Sequence, residues 1–142
     1  MKIEHKSFKA EFKAGTYFIG DPCYVLRDDL YDKWGTDNNY SDGNYGYFAV
    51  GSTAYGDGIY EDIASGKNYF VDAGILGIVN MDYSKQEFPY VYSLNELGSI
   101  ITVKESLLFE YNHETHTFKY EYDDDNIIFI ETGFEEDDNE EY

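Results

Sequence analysis

The sequence predicts a mostly β fold, an antiparallel sandwich or a small open barrel with one short helix. Turn-forming residues recur at short intervals along the chain, which is typical of antiparallel strands joined by tight connections. Aromatic residues make up 19% of the 142 residues, and Tyr and Phe favour strands. The sequence shows no regular alternation of strands with long helices, the pattern that would indicate a parallel sheet.

Two strands are predicted near the N-terminus. Phe8 and Phe12 mark the first strand, and residues 17–19 form the second. The dipeptide 14–15, Ala-Gly, is expected to join them as a turn. Pro22 ends the second strand because proline cannot donate a hydrogen bond to a neighbouring strand.

The predicted helix follows directly. Leu26, Leu30 and Trp34 recur at a spacing of four, which places them on one helical face. Gly35 is the predicted stop signal. Residues 36–46 are rich in turn-forming polar residues and are predicted to form a surface loop.

The central part of the chain predicts a meander, in which each strand pairs with the next along the chain. Residues 47–55 and 59–63 are expected to pair through a turn at 56–58. A second turn is predicted at 64–67 and leads to strands at 69–71 and 75–79. One helical turn at 94–97 and a strand at 100–104 are predicted after them.

The last block has the clearest pattern. Strands are predicted at 106–111, 116–122 and 127–130, separated by short polar turns. In the middle strand, alternate residues are apolar, which is typical of a half-buried antiparallel strand. The final strand, IIFI, is apolar on both faces and is expected to lie centrally or under a cover.

Charge limits the possible partners. The chain has 10 basic and 29 acidic residues, a net charge of −19. Its field therefore opposes direct binding to nucleic acid or to an anionic membrane. Three basic and 18 acidic residues lie in the half from residue 72 onward. We expect one domain over residues 1–132 and a flexible acidic tail over 133–142.

Cys23 is the only cysteine, so an internal disulfide is impossible. No apolar run is long enough to suggest a signal peptide or a membrane span. These features favour a cytoplasmic location, and no cofactor is predicted because the sequence lacks the phosphate-binding and catalytic signature motifs.

Three aspartates beside glycine or proline are the candidate catalytic acids: Asp21, Asp57 and Asp72. If the fold brought them together, they could bind a hard cation or divide into an acid and a base, with Cys23 nearby. The alternative is that each one forms a local turn, since Asp commonly bonds its own backbone beside Gly or Pro.

Metal ligation has weaker candidates. Asp37, Asn39 and Asp42 lie in a loop that resembles the start of a calcium loop but has no glutamate at the twelfth position. His113 and His116 flank a predicted turn, so their rings need not converge. No metal site is predicted.

Two sets of residues are candidates for protein contact. The tyrosines Tyr45, Tyr47, Tyr55 and Tyr60 lie around glycine-rich loops, with Tyr40 nearby, and tyrosine offers a large contact area at low entropic cost. The acids Glu121, Asp123, Asp124 and Asp125 could imitate a phosphate backbone and block a basic channel. Strand-forming tyrosine and simple solubility are the alternatives.

Three sequence blocks form a pattern: GTYFIGDPCYVL (15–26), STAYGDGIYED (52–62) and YFVDAGILGIV (69–79). In this order the blocks resemble small uncharacterised proteins of bacteriophages and bacteria that carry GDPCY, GDG-Y and VD-G blocks. The resemblance covers about residues 15–79. It implies a phage-encoded or phage-like protein of the cytoplasm and carries no particular chemistry with it.

The leading hypothesis is an acidic accessory protein that docks on a host protein with a basic surface and inhibits or modulates it. The first alternative is a small hydrolase or metal-dependent enzyme that uses Asp21, Asp57 and Asp72. The second alternative is a small-ligand-binding protein.

Overall fold

The computed structural model describes residues 6–84 and 90–133, with backbone only for 90–93. The strands are β1 (Phe8–Gly20), β2 (Gly43–Asn44), β3 (Phe48–Ser52), β4 (Gly58–Glu61), β5 (Asn68–Val71), β6 (Ile75–Asn80), β7 (Ser99–Asn112), β8 (Thr117–Tyr122) and β9 (Asn126–Glu131). The helices are α1 (Asp28–Asn38) and α2 (Tyr90–Leu97), with 3₁₀ turns at Pro22–Tyr24 and Met81–Tyr83. The predicted tail lies outside the described residues, apart from Gly133.

The strands form one antiparallel sheet of seven strands and a separate hairpin. The order in the large sheet is β2-β3-β6-β1-β7-β8-β9, and β4 pairs with β5 in the hairpin. The mostly β prediction is therefore confirmed. The sheet does not close into a barrel.

The large sheet is curled. The Tyr120 hydroxyl on β8 donates to the Gly77 carbonyl on β6 at 2.9 Å, and the Tyr111 hydroxyl on β7 donates to the Ser52 carbonyl on β3 at 2.9 Å. In each pair the strands are three positions apart in the sheet. A flat sheet would separate them by about 14 Å, because neighbouring strands lie about 4.8 Å apart. The bonds therefore require the strands to bend toward each other across the inner face.

Two hydrophobic clusters stabilise this arrangement. The first fills the inner face of the curled sheet and includes Tyr69 and Val71 of the β4–β5 hairpin. The second lies on the outer face, where Trp34 of α1 packs edge-to-face on Phe48 of β3, with ring centroids 5.5 Å apart. It covers β3, β6 and the second half of β1, and Ile100 at the start of β7 packs against it.

The prediction of two N-terminal strands is wrong. Residues 8–20 form one strand, and the pairing of β1 with β7 shifts register between Lys13 and Gly15. The inward positions change from even (Ala10 and Phe12) to odd (Tyr17) across this shift. The broken alternation therefore reflects a β-bulge, which re-aims side chains without ending the strand. On the β7 side, residues 100–104 and 106–111 likewise belong to one continuous strand.

The meander prediction is wrong for the central strands. β3 does not pair with β4; it pairs with β6 and β2. The chain leaves the large sheet after Ser52, forms the β4–β5 hairpin over the inner face, and returns in β6. The predicted turn at 64–67 does join two paired strands, β4 and β5.

The final strand is not central. β9 is an edge strand, with Ile128 and Ile130 buried on the inner face and Ile127 44% exposed on the outer face. Residues 62–63 cover part of its edge. The Ile63 amide donates to the Phe129 carbonyl at 2.9 Å, and a single bridge joins residue 62 to Ile130.

The predicted helix forms but does not stop at Gly35. α1 continues to Asn38 and ends at Asn39, which has left-handed dihedrals (φ 54°). The Tyr40 ring lies directly over Gly35, where a side chain would collide with it. Gly35 therefore makes room for an aromatic ring. The helical turn predicted at 94–97 is the end of the longer helix α2, and no described helix has the length and apolarity to cross a membrane.

Candidate functional site

The buried carboxylate of Asp21 joins two of the three sequence blocks. Asp21 follows β1, is completely buried and caps the 3₁₀ turn Pro22–Tyr24. Its Oδ1 accepts from the Cys23 amide at 2.9 Å, and its Oδ2 accepts from the amides of Asp72 and Ala73 at 2.8 and 2.7 Å. Burial raises the pKa of Asp21, and the three amide donors oppose that rise. The side chain therefore clamps the loop after β1 to the loop after β5.

The third block meets the second through backbone groups. The Thr53 amide donates to the Gly74 carbonyl at 3.0 Å, and its hydroxyl donates to the Gly56 carbonyl at 2.8 Å. Gly74 has φ +75°, and a methyl group at its Cα would lie 3.5 Å from the Cα of Gly56. The added methyl group would make only an ordinary contact there, so it is the left-handed backbone that favours glycine. The turn that carries Asp57 is thereby held against the loop that carries Asp72.

The meeting of the three loops creates a surface, which we call the loop surface: Cys23, Tyr24, Asp57 and Asp72. Asp57 and Asp72 are exposed, and Cys23 and Tyr24 are half-buried. Burial raises the pKa of Tyr24 to about 12, and the nearby acidic groups add to the effect: Cys23, Asp21, Asp72 and Asp57. The loop surface is therefore electronegative around a tyrosine hydroxyl.

Helix α1 provides the next aromatic residue along this side. Tyr31 is half-buried, and this burial raises the pKa of its hydroxyl. The electrostatic effects of Asp21 and Cys23 raise it further. Its ring lies 6.4 Å from that of Tyr40, which is 50% exposed. Sequence reasoning missed Tyr24 and Tyr31. Tyr24 belongs to the GDPCY block and could have been included on that basis, whereas the position of Tyr31 depends on the tertiary fold.

The chemistry open to the loop surface follows from which carboxylates are accessible. Asp21 already accepts three amide hydrogen bonds and is buried, so it acts here as a structural clamp. Asp57 and Asp72 remain exposed to a partner. Over residues 6–84 and 90–133, no group of three or more His, Cys, Asp or Glu side chains has a geometry that could hold a metal ion.

The residues named for metal ligation lie at separate local contacts. Asp37 pairs with Lys33 on α1, and Asn39 forms the C-cap of that helix. Asp42 accepts a hydrogen bond from the Ser52 hydroxyl at 2.8 Å. The structure therefore places Asp42 against β3 and the other two on α1.

The tyrosines named for protein contact divide between two places. Tyr45 and Tyr47 pack against the outer cluster around Phe48, and the Tyr45 hydroxyl donates to the Ser41 carbonyl at 2.6 Å. Tyr60 packs against the inner cluster, and its hydroxyl donates to the Gly56 carbonyl at 2.9 Å. Tyr55 is 61% exposed. These residues do not form a single continuous contact surface.

The acidic residues of the C-terminal part lie around the β8–β9 turn, and one of them has a structural contact. The Asp123 carboxylate accepts from the amides of Lys104 and Glu105, both at 2.8 Å. These amides lie on β7, beside the point where its pairing with β1 shifts register. Their hydrogen bonds lower the pKa of Asp123, and the bond from the Lys104 amide has the largest effect. Asp124 and Asp125 are exposed, whereas Glu121 lies on β8 beside Lys119, 3.7 Å from its ammonium group.

The two C-terminal histidines do converge. The rings of His113 and His116 lie 4.7 Å apart, centroid to centroid, and both Nδ1 atoms approach the hydroxyl of Tyr111, at 3.0 and 3.4 Å. Because the Tyr111 hydroxyl donates to Ser52, it is an acceptor toward His113. His116 has a left-handed backbone (φ 53°). Nothing in the spacing of the two residues indicates that conformation.

Comparisons with protein-family models, with curated proteins and with solved structures give no significant match to this chain.

Proposed function

We propose that this chain is a small acidic binding protein of the phage-accessory type, acting in the cytoplasm, that docks on a basic surface of a host protein and modulates it. The observation that carries the proposal is the meeting of the three sequence blocks at the loop surface. Three loops that are distant in sequence are clamped together by Asp21 and Thr53, with Asp57 and Asp72 exposed at their tips.

The loop surface suits a cationic side chain of a partner. Asp57 and Asp72 supply negative charge, and the half-buried Tyr24 and Tyr31 supply aromatic surface nearby, a combination that favours arginine and lysine. The clamped loops are preorganised, which lowers the entropic cost of binding. The net charge of −19 would also steer a basic partner toward the molecule.

Nucleic-acid mimicry would instead place the contact with the partner at the acidic β8–β9 turn. The Asp123 carboxylate already accepts hydrogen bonds from the backbone of β7, which leaves two exposed aspartates, Asp124 and Asp125, at the tip of that turn. The enzymatic alternative has less support, because Asp21 is buried and fully hydrogen-bonded.

Two matched double variants test the proposal. Asp57→Ser/Asp72→Asn and Asp124→Asn/Asp125→Ser each remove two negative charges, one pair from the loop surface and the other from the β8–β9 turn. The tagged proteins are used to capture partners from a bacterial lysate at low and at high salt, and the affinity of each captured protein is then measured by calorimetry. We expect the loop-surface variant to lose at least about tenfold in affinity, while the turn variant stays near the wild type.

Each possible result is informative. Loss of binding in the turn variant alone would favour the mimic hypothesis and refute the loop surface. If the wild type captures no basic protein at low salt, or if both variants bind as it does, the proposed function is wrong. Circular dichroism of each variant checks that the fold is retained.

A further inference from the structure

Half of the outer face of the large sheet lies beyond the outer cluster. It is formed by the first half of β1 together with the second half of β7 and with β8 and β9. On these strands the neighbouring residues Ala10, Phe109, Tyr120 and Ile128 are buried on the inner face, so the residues between them point outward. Their side chains are exposed or half-exposed. We call this surface the open face.

The strand register arranges the open face in two rows that run across the strands from β1 to β9. Row A contains Lys9, Glu110, Lys119 and Phe129. Row B contains Glu11, Leu108, Glu121 and Ile127. The rows are about 6.7 Å apart, since residues two apart in a strand point to the same side.

The charge of the open face is unlike that of the rest of the molecule. Three of the chain's ten basic residues, Lys9, Lys13 and Lys119, lie on it. They are interspersed with Glu11, Glu110, Glu121 and Glu131, so these positions carry a net charge of only −1 in a chain of net charge −19. Two acidic molecules that approach each other would therefore repel least at this face.

The two rows are complementary to each other under a two-fold rotation. Consider an axis that lies in the interface, parallel to the rows and midway between them. Rotation about it sets row A of one copy opposite row B of the other, strand by strand. Lys9 then faces Glu11 of the second copy on β1, Lys119 faces Glu121 on β8, and each contact occurs twice. At the β9 end, the half-buried Phe129 faces Ile127, which is 44% exposed.

From this pattern we infer that the open face is the interface of a symmetric dimer, with a second copy of this chain as its partner. The interface is isologous: each patch contacts the same patch of its mate, as a two-fold axis requires. Facing sheets pack about 10 Å apart with their strands crossed by about 30°. The outer face of the curled sheet is convex across the strands, so two copies meet closely only near the centre of the rows, at β7 and β8. There β7 sets Glu110 against Leu108 and β8 sets Lys119 against Glu121, so the Lys119–Glu121 contact should dominate the specificity.

Charge reversal tests the pairing. Lys119→Glu sets two glutamates against each other at both contacts, and Glu121→Lys does the same with two lysines. We expect either single variant to weaken dimerisation by more than about tenfold. The double variant Lys119→Glu/Glu121→Lys restores opposite charges at both contacts and should dimerise like the wild type. Sedimentation velocity over a concentration series that reaches about 0.1 mM measures each equilibrium.

Mixing the two single variants separates an interface from an effect within one chain. In a mixed dimer, the glutamates at 119 and 121 of one chain face the lysines at 121 and 119 of the other. We expect the mixture to form a heterodimer although each variant alone is monomeric. The ion pair between Lys119 and Glu121 within one chain cannot produce this result, because each single variant has lost it.

The inference is overturned if the wild type stays monomeric across the series, which would leave the open face to another occupant. It is also overturned if a dimer forms but ignores both reversals, or if the mixed variants do not associate. Asp28→Lys on α1, which makes the same charge change as Glu121→Lys but away from the open face, is the control and should leave dimerisation unchanged. Thermal unfolding confirms that each variant is folded.

Discussion

Replacing Asp21 by asparagine tests whether its carboxylate clamps the loop after β1 to the loop after β5. The carboxylate accepts three amide hydrogen bonds, at 2.7 to 2.9 Å, without any solvent exposure. In Asp21→Asn one oxygen becomes an NH₂ group. Whichever way the amide turns, that group faces at least one backbone N–H, and two donors cannot bond.

The expected loss of stability follows from these contacts. A hydrogen bond to a charged acceptor contributes about 1.5–3 kcal/mol, and one or two such bonds are lost. Part of this loss is offset because the variant no longer buries a charge. We therefore expect the free energy of unfolding to fall by about 2–4 kcal/mol, which corresponds to a decrease in Tm of roughly 10 °C for a chain of this size.

The assay is urea unfolding at neutral pH, with Asp72→Asn as the matched control. The side chain of Asp72 is exposed, and the residue contacts Asp21 only through its backbone amide, which the substitution leaves in place. The control should therefore change the free energy of unfolding by less than about 0.5 kcal/mol. If Asp21→Asn also stays within about 0.5 kcal/mol of the wild type, the clamp does not hold these loops together.

The difference in unfolding free energy between the wild type and Asp21→Asn should change with pH in a defined direction. The pKa of Asp21 is raised in the folded state, so the folded chain binds more protons than the unfolded chain above the ordinary aspartate pKa of 3.8. The contribution of Asp21 is then fully present below that value and is lost as the pH rises through the folded pKa. The stability difference between the wild type and Asp21→Asn should shrink across that interval. A difference that grows with pH would contradict the burial argument.

Three further changes test other contacts by urea unfolding. Asp123→Ala removes a carboxylate whose pKa is lowered in the fold, so its contribution, present above pH 3.8, should be lost as the pH falls through the folded pKa; a pH-independent effect would contradict this. Gly51→Ala places a methyl group 2.5 Å from the Tyr111 ring and should cost about 1–3 kcal/mol, whereas a neutral effect would mean that the ring can move aside. Tyr120→Phe removes the buried hydrogen bond to Gly77 and should cost about 1–2 kcal/mol; no loss would weaken the case that this bond helps to hold the curl.

Side-chain periodicity within short segments correctly predicted the strands and the helix that depend on neighbouring residues alone. The alternation of Phe118 and Tyr120 with polar residues predicted β8 correctly, and its turn to β9 was also placed. Leu30 and Trp34 lie on α1 as their spacing predicted, whereas Leu26 lies before the helix and forms a single bridge with Ser84. These features depend on side chains a few residues apart.

Other features depend on contacts that the sequence does not display. At 14–15, a β-bulge and a turn both break the alternation of apolar residues, and β7 decides between them by pairing with both halves of β1. β3 ends without a hairpin because β6, which follows the β4–β5 excursion, takes the place beside it.

The arrangement of the candidate site also depends on tertiary contacts that the sequence does not display. Each aspartate beside a glycine or proline was visible in the sequence, but the division between one buried clamp, Asp21, and two exposed carboxylates, Asp57 and Asp72, is set by the tertiary fold. The convergence of His113 and His116 at the Tyr111 hydroxyl is set by the tertiary fold and had no sequence signal.

The position of β1 in the sheet has a kinetic consequence. β1 pairs with β6 and β7, so its partners lie about 55 to 100 residues further along the chain. During synthesis at roughly 5–20 residues per second, the apolar residues of β1 would remain without their partner strand for several seconds, until β7 has left the ribosome. Such non-local pairing slows folding and leaves an unpaired strand open to aggregation. A nascent chain of this protein should therefore depend on chaperones more than its small size suggests.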